Sequence, residues 1–93
     1  MASYRIIAWK DIPASVEAQD GADHVSLQLS ERFQALIDSV AMQGGAHSED
    51  AYLEHWGSTD GERAGTAREV SAAIAAELEE RFPEFIERAF RRA

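Results

Sequence analysis

Hydrophobic and polar residues alternate along most of the first thirty positions of the chain. The stretch YRIIAW at 4–9 has a period of two, which predicts a strand over about residues 3–10. Because apolar residues fall on both faces of this strand, we expect it at the centre of a sheet. A weaker alternation over 15–19 and a clear one over 24–29 predict two further strands. The Asp-Gly step at 20–21 favours a tight hairpin between them, so this part of the chain predicts a small antiparallel sheet of about three strands.

Beyond residue 30 the apolar residues recur every three or four positions, which is the period of a helix. Ser30 can cap a first helix, which ends at the glycine pair 44–45 because glycine adopts the left-handed cap conformation without steric cost. A second helix is predicted from Ser48 to Trp56. The polar stretch GSTDGERAG at 57–65 is then expected to be a loop.

The C-terminal segment 66–93 is predicted to be helical. Thr66 and Glu69 form a capping box at its start. Pro83 falls inside its apolar stripe, so the segment either kinks there or divides into two helices with proline in the first turn of the second. The fold class that follows is α+β, with three or four helices in the C-terminal half packed on one face of the sheet.

Composition identifies the chain as one globular domain over residues 1–93. It has 45% hydrophobic and 28% charged residues and contains no cysteine, which excludes disulfides, thiolate metal sites and cysteine nucleophiles. The formal net charge is −8, which argues against nucleic acid and anionic membranes as partners. No apolar run approaches the roughly 18–20 residues of a membrane helix. We therefore expect a cytoplasmic protein.

The sequence WKDIP at 9–13 allows two interpretations. In the first, Trp9 is a core residue and Pro13 ends the strand, because proline cannot donate to a ladder. In the second, the turn lies beside aromatic residues of the second helix and forms a mixed-charge pocket for a small ligand. Arg32 either pairs with a carboxylate such as Asp38 or binds an anionic ligand. The candidate pocket comprises Trp9, Lys10, Asp11, Arg32, Asp38, Tyr52 and Trp56.

The remaining polar residues do not form a recognised catalytic or metal-binding pattern. His47 and His55 are eight positions apart, so they lack the i,i+4 spacing that places two imidazoles on one helical face, and His24 lies on a predicted strand. The chain has no phosphate-binding loop and no nucleophile elbow. We predict no catalytic residue, no metal and no cofactor, and we favour a protein that is not an enzyme.

The last helix contains many aromatic residues for so small a domain. Its apolar residues either cover the sheet or stay partly exposed and bind a partner subunit or a second copy. The residues of this candidate interface are Phe82, Phe85, Ile86 and Phe90.

Three stretches resemble a small bacterial family known as "virulence factor". They are WKDIP at 9–13, LSERFQALIDSVAM at 29–42 and DAYLEHW at 50–56, and the resemblance spans roughly residues 3–58. It implies a companion of corrinoid- and tetrahydrofolate-linked methyl transfer, and hence an accessory role in one-carbon metabolism. The turn before the third strand, expected to be basic in the family, reads AQDGADH at 18–24 here. An anion-binding role is therefore not carried over to this turn.

The leading functional hypothesis is a non-catalytic accessory protein that binds a larger partner, an enzyme of one-carbon metabolism. One alternative is a small-ligand module, or minor enzyme, that uses the aromatic pocket around Trp9, Tyr52 and Trp56. Another is a homodimeric structural protein joined through its final helix.

Overall fold

The computed structural model of the chain describes residues 1–43 and 53–91, and these form one four-stranded antiparallel sheet with helices. The sheet has the strand order β3-β2-β1-β4, so β1 is central as its two apolar faces predicted. The α+β class is confirmed. In chain order the elements are β1 (Ala2–Trp9), β2 (Ile12–Asp20), β3 (Asp23–Gln28), α1 (Glu31–Gln43), β4 (Trp56–Arg63), α2 (Ala67–Glu80) and α3 (Phe82–Arg91).

The fourth strand corrects the sequence-based expectation of about three strands. Residues 57–63, predicted as loop, lie in β4, and Trp56 begins this strand instead of ending a helix. The earlier part of that predicted helix, over residues 48–52, lies outside the described residues. The sequence WGSTDGER has no apolar alternation, yet it pairs with β1 without interruption from Ala2↔Arg63 to Trp9↔Trp56. Tertiary pairing therefore overrides a weak local strand signal.

Both hairpins of the sheet use two-residue turns whose first residue is left-handed. Lys10 begins the β1–β2 turn with φ 55°, and Gly21 begins the β2–β3 turn with φ 62°. Glycine adopts this conformation without a steric penalty, whereas a lysine side chain incurs one. WKDIP is therefore a tight turn between a central strand and its neighbour.

Pro13 lies within β2 rather than between two strands. The β1–β2 register shifts between Ile7 and Ala8, where Ile7 pairs with Ser15 and Ala8 pairs with Pro13, so Ala14 is the extra residue of a bulge. The carbonyl oxygen of Ala14 accepts a hydrogen bond from the Leu29 amide at 3.0 Å. The bulge accommodates the proline near the strand start, and the expectation that Pro13 ends a strand is wrong.

The helices pack mainly over β1, β2 and β3. Trp9, Val16, Phe33, Ile37 and Val70 form the centre of the core, each at most 1% exposed. The predicted capping box is present, with Thr66 and Glu69 each accepting the other's backbone N–H at 3.2 Å. No helix among residues 1–43 and 53–91 is long and apolar enough to cross a membrane.

The C-terminal segment divides at Arg81, as one of the two predicted outcomes for Pro83. Helix α2 ends at Glu80, and Pro83 occupies the first turn of α3, where its missing N–H has no helical partner to lose. Phe33 of α1 packs edge-to-face on Phe82 and Phe85, with ring centroids 4.8 and 5.9 Å apart. The break lets α3 fold back onto α1.

Candidate functional site

One face of the sheet is polar and lies opposite the helices; we call it the open face. In an antiparallel sheet directly paired residues project to the same side, so the register assigns each side chain to a face. Tyr4, Val16 and Val25 project to the helix-covered face, where they belong to or pack against the core. The open face consists of Ser3, Arg5, Ile7, Ser15, Glu17, Gln19, His24, Ser26, Gln28, Ser58, Asp60 and Glu62. The same rule places Trp9, with its partners Ile12 and Trp56, at one end of this face, where Trp9 and Ile12 are buried.

One cross-strand ion pair and one histidine–carboxylate contact organise the polar groups of the open face. The Arg5 guanidinium donates to both carboxylate oxygens of Asp60, at 2.8 and 3.4 Å. The hydrogen bond from Arg5 lowers the pKa of Asp60 below its usual value. His24 Nε2 lies 3.4 Å from Glu17 Oε1. These contacts connect β1 to β4 and β2 to β3 through side chains that remain in water.

Between these two pairs lies a shallow groove of about 230 Å³. Its lining includes Ser3, Arg5, Glu17, Gln19 and His24. The open face as a whole carries the carboxylates of Glu17, Asp60 and Glu62 against the single guanidinium of Arg5. With histidine neutral, this surface is acidic, and its electrostatic complement is a basic surface.

The residues of WKDIP and Trp56 meet at one end of the sheet. Trp9 lies directly opposite Trp56, and the Lys10 amide donates to the His55 carbonyl oxygen at 2.9 Å. The Trp9 indole is 0% exposed and packs edge-on against His55, with centroids 5.4 Å apart. The Lys10 ammonium lies 5.1 Å from the centroid of the Trp9 ring. Trp9 is therefore a core residue, and of this cluster the exposed side chains of Lys10 and Asp11 face solvent.

The other candidate pocket residues lie elsewhere or outside the described structure. Arg32 pairs with Glu79 of α2 at 3.0 Å and stacks over Phe82 at 4.4 Å, so its carboxylate partner is Glu79 rather than Asp38. Asp38 accepts a hydrogen bond from Gln34 on the exposed side of α1 at 3.0 Å. Tyr52 lies outside the described residues. The structure thus brings Trp9, Lys10 and Trp56 together, whereas Arg32 belongs to the junction of the three helices.

The aromatic stripe of α3 is largely part of the core. Phe85 is 5% exposed and Phe82 is half-buried against Phe33, so neither ring offers a free surface to a partner. Ile86 is 37% exposed. The side chain of Phe90 lies outside the described structure. Of the two alternatives for this helix, the one that leaves Phe85 exposed is therefore not found, because α3 folds back onto α1.

The histidines and carboxylates in residues 1–43 and 53–91 form no group of three or more placed to hold a metal ion. His47 lies outside these ranges. Sequence patterns missed Asp60, Glu62 and Arg63, because they were assigned to a loop. One signal could have predicted this strand. Because β1 is apolar on both faces, it is expected to have a neighbouring strand on each side. The two hairpins β1–β2 and β2–β3 alone would leave β1 at an edge of the sheet, so a fourth strand is needed beside it.

Comparison with known proteins identifies one family. The sequence model of a family described as virulence factor matches residues 7–86, from near the end of β1 into α3. This match extends beyond the three motifs, which end at Trp56, and includes β4 and α2. No curated protein matches the chain, and no solved structure does. Since the match covers most of its length, the chain belongs to the virulence factor family.

Proposed function

We propose that this protein is a non-catalytic accessory protein that binds a larger protein partner through its open face. The proposal rests on the acidic, polar surface of this face. It presents side chains from all four strands on one relatively rigid layer, because cross-strand pairs hold the strands in register. A helix-covered sheet of this kind supports a binding surface without needing a deep cleft.

The titratable groups support a binding role over catalysis. In the part of the chain that the structure describes, the shifted pKa values belong to Arg5, Asp60, Arg63, Glu77 and Glu79. Each of these groups is in an ion pair or hydrogen bond between two elements, with partners at 2.7–3.4 Å. Their shifts are explained by structural contacts rather than by a pocket that tunes an acid or base.

The partner's binding surface is basic in this proposal. The whole chain carries a net charge of −8, and the open face contributes three carboxylates against one arginine. Such complementarity raises the association rate and weakens as salt screens it. The affinity for the partner therefore falls as ionic strength rises.

The family resemblance supplies the class of partner. It suggests an enzyme of corrinoid- or tetrahydrofolate-linked methyl transfer, and we propose that the protein acts beside such an enzyme in the cytoplasm. The absence of cysteine is compatible with a reducing compartment. No cofactor is required by the chain itself in this proposal.

The proposal is tested by affinity capture from extracts of the source organism with a matched pair of charge reversals. Glu17→Lys changes the middle of the open face, and Glu80→Lys makes the same change in charge at the exposed end of α2. We expect a stoichiometric methyl-transfer enzyme that the wild type and Glu80→Lys capture and that Glu17→Lys loses. Circular dichroism checks that both variants fold. Recovery of no stoichiometric partner, or equal recovery by both variants, contradicts the proposal.

A further inference from the structure

Strand β4 is a long edge strand with one unpaired side among the described elements. It spans eight residues, and its sheet neighbour is β1. Gly57–Asp60, Glu62 and Arg63 are exposed, so this edge reaches solvent along most of its length. Natural proteins usually protect such an edge with proline, charged side chains, a bulge or a very short strand. β4 contains no proline and no lysine, and its register with β1 has no shift; its charges are Asp60, Glu62 and Arg63 in its second half, and Asp60 is paired with Arg5.

The opposite edge of the sheet, β3, is shorter and offers a new strand fewer residues to pair with. It has six residues and packs against α2. The helices leave β4 largely exposed, because they lie mainly over the other three strands. A strand added to this protein therefore meets fewer obstacles at β4.

The charges of β4 distinguish the two registers in which it overlaps most with a second copy of itself, those with the symmetry axis at Thr59 or at Asp60. In a two-fold symmetric antiparallel pair, directly opposed side chains lie on the same face of the sheet. The symmetry axis therefore passes midway between the two copies of one residue, which is paired with itself. An axis at Asp60 places two carboxylates directly opposite each other, which is unfavourable. An axis at Thr59 pairs Thr59 with Thr59, Ser58 with Asp60, Gly57 with Gly61 and Trp56 with Glu62. No like charges are then opposed.

We propose that β4 pairs antiparallel with β4 of a second copy about an axis at Thr59. The two sheets then form one continuous sheet of eight strands. Threonine pairs are favourable cross-strand neighbours, and each Asp60 carries its own neutralising contact with Arg5 at 2.8 Å. The symmetry axis is perpendicular to the sheet, so both open faces lie on the same side and form one wider acidic surface.

The proposed interface is small and joins two negatively charged copies, so the dimer should depend on both protein concentration and salt. A strand-to-strand contact buries less than the roughly 1,200 Å² of a standard interface, so the dimer is weak and depends on concentration. Each copy carries a net charge of −8, so added salt reduces the repulsion and strengthens the dimer. Salt has the opposite effect on the basic partner of the proposed function, so the two proposals succeed or fail separately.

The test uses the absence of cysteine in the chain. In the proposed dimer the two Thr59 Cα atoms are about 4.5–5.5 Å apart, which is within the range of a disulfide. Thr59→Cys with the oxidant diamide is therefore expected to give a disulfide-linked dimer that dithiothreitol reverses. Ser26→Cys, an exposed position on the other edge strand, is the matched control and should cross-link at least ten times more slowly. Equal rates for the two variants overturn the proposal.

Sedimentation of the unmodified protein gives an independent result. The wild type should shift toward dimer as its concentration approaches several hundred micromolar, and more so in high salt. Thr59→Lys lowers the net negative charge and thereby the general repulsion, yet it places two lysines opposite each other and should abolish the dimer. Ser26→Lys makes the same charge change and should retain it. A wild type that stays monomeric under all these conditions contradicts the inference.

Discussion

Glu79 connects the start of α1 to the end of α2 through one carboxylate. It accepts hydrogen bonds from the Ser30 amide at 2.7 Å, the Ser30 hydroxyl at 2.8 Å and the Arg32 guanidinium at 3.0 Å. Arg32 also donates to the Glu79 carbonyl oxygen at 2.8 Å and stacks on Phe82. One side chain thus caps a helix and orders the residues around the three-helix junction.

The stabilisation by Glu79 is predicted to depend on pH. Burial raises the pKa of Glu79, but the hydrogen bonds from Ser30 and Arg32 lower it by more, so the net pKa is below the usual value. A group with a lowered pKa in the folded state stabilises the protein above the ordinary pKa and loses that effect as pH falls through the folded value. Glu79→Gln should therefore cost about 1–2 kcal/mol near neutral pH and little in acid. Urea unfolding of the wild type and Glu79→Gln from neutral to acidic pH measures this difference in the free energy of unfolding. A difference that does not change with pH would contradict the prediction.

Lys10 occupies a backbone conformation that suits glycine better. Its φ of 55° places it in the left-handed region, where a side chain costs roughly 1 kcal/mol. Lys10→Gly should therefore be more stable than Lys10→Ala by about 1 kcal/mol. Both variants remove the ammonium near Trp9, but only glycine adopts the left-handed conformation without a steric penalty. Thermal unfolding of the two variants measures this difference. Equal stabilities would show that the turn carries no strain.

At the scale of elements, the pairing of β1 with β4 depends on a glycine. A side chain at Gly61 would clash with the phenol ring of Tyr4, its direct cross-strand partner. Gly61→Ala should therefore lower the free energy of unfolding by about 1–3 kcal/mol. In a Tyr4→Ala background the same change should cost much less. A double-mutant cycle by urea denaturation measures this coupling, and additive effects would disprove the contact.

Helix α3 stabilises the fold through Phe85 more than through its exposed side. Phe85 is 5% exposed and packs on Phe33, so Phe85→Ala should cost about 3–5 kcal/mol. Ile86 is 37% exposed, and Ile86→Ala should cost much less because little of its contact area is lost. Chemical denaturation of the two variants tests the order. Similar costs would mean that Phe85 does not belong to the core.

Local features of the elements could be predicted, whereas their long-range pairing could not. The Asp20–Gly21 turn and the Thr66 cap were predicted because their chemistry lies within a few residues. β4 was missed because its strand character comes from β1, with Arg5 and Asp60 separated by 55 positions. The partner of Arg32 was missed for the same reason, since Glu79 is 47 positions away. The pocket interpretation of WKDIP placed Trp9 near Trp56, whereas the structure pairs these two residues at a strand end.

The whole molecule separates its structural contacts from its proposed binding surface. The helices and the apolar side of the sheet form the core, and the buried aromatic residues belong to it. The opposite side carries polar residues from all four strands and an excess of carboxylates. Because the cross-strand contacts of the open face are solvent-exposed, substitutions there are expected to affect folding little, and under the proposed function they change binding.

The most direct test of the central claim is a map of which carboxylates the captured partner protects. Carbodiimide labelling of the free protein and of the purified complex, read by mass spectrometry, compares Glu17 on the open face with the exposed Glu31 and Glu80 on the helical side. We predict that the complex strongly reduces labelling of Glu17 and leaves Glu31 and Glu80 unchanged. Protection of the helical carboxylates with Glu17 still labelled would contradict binding through the open face.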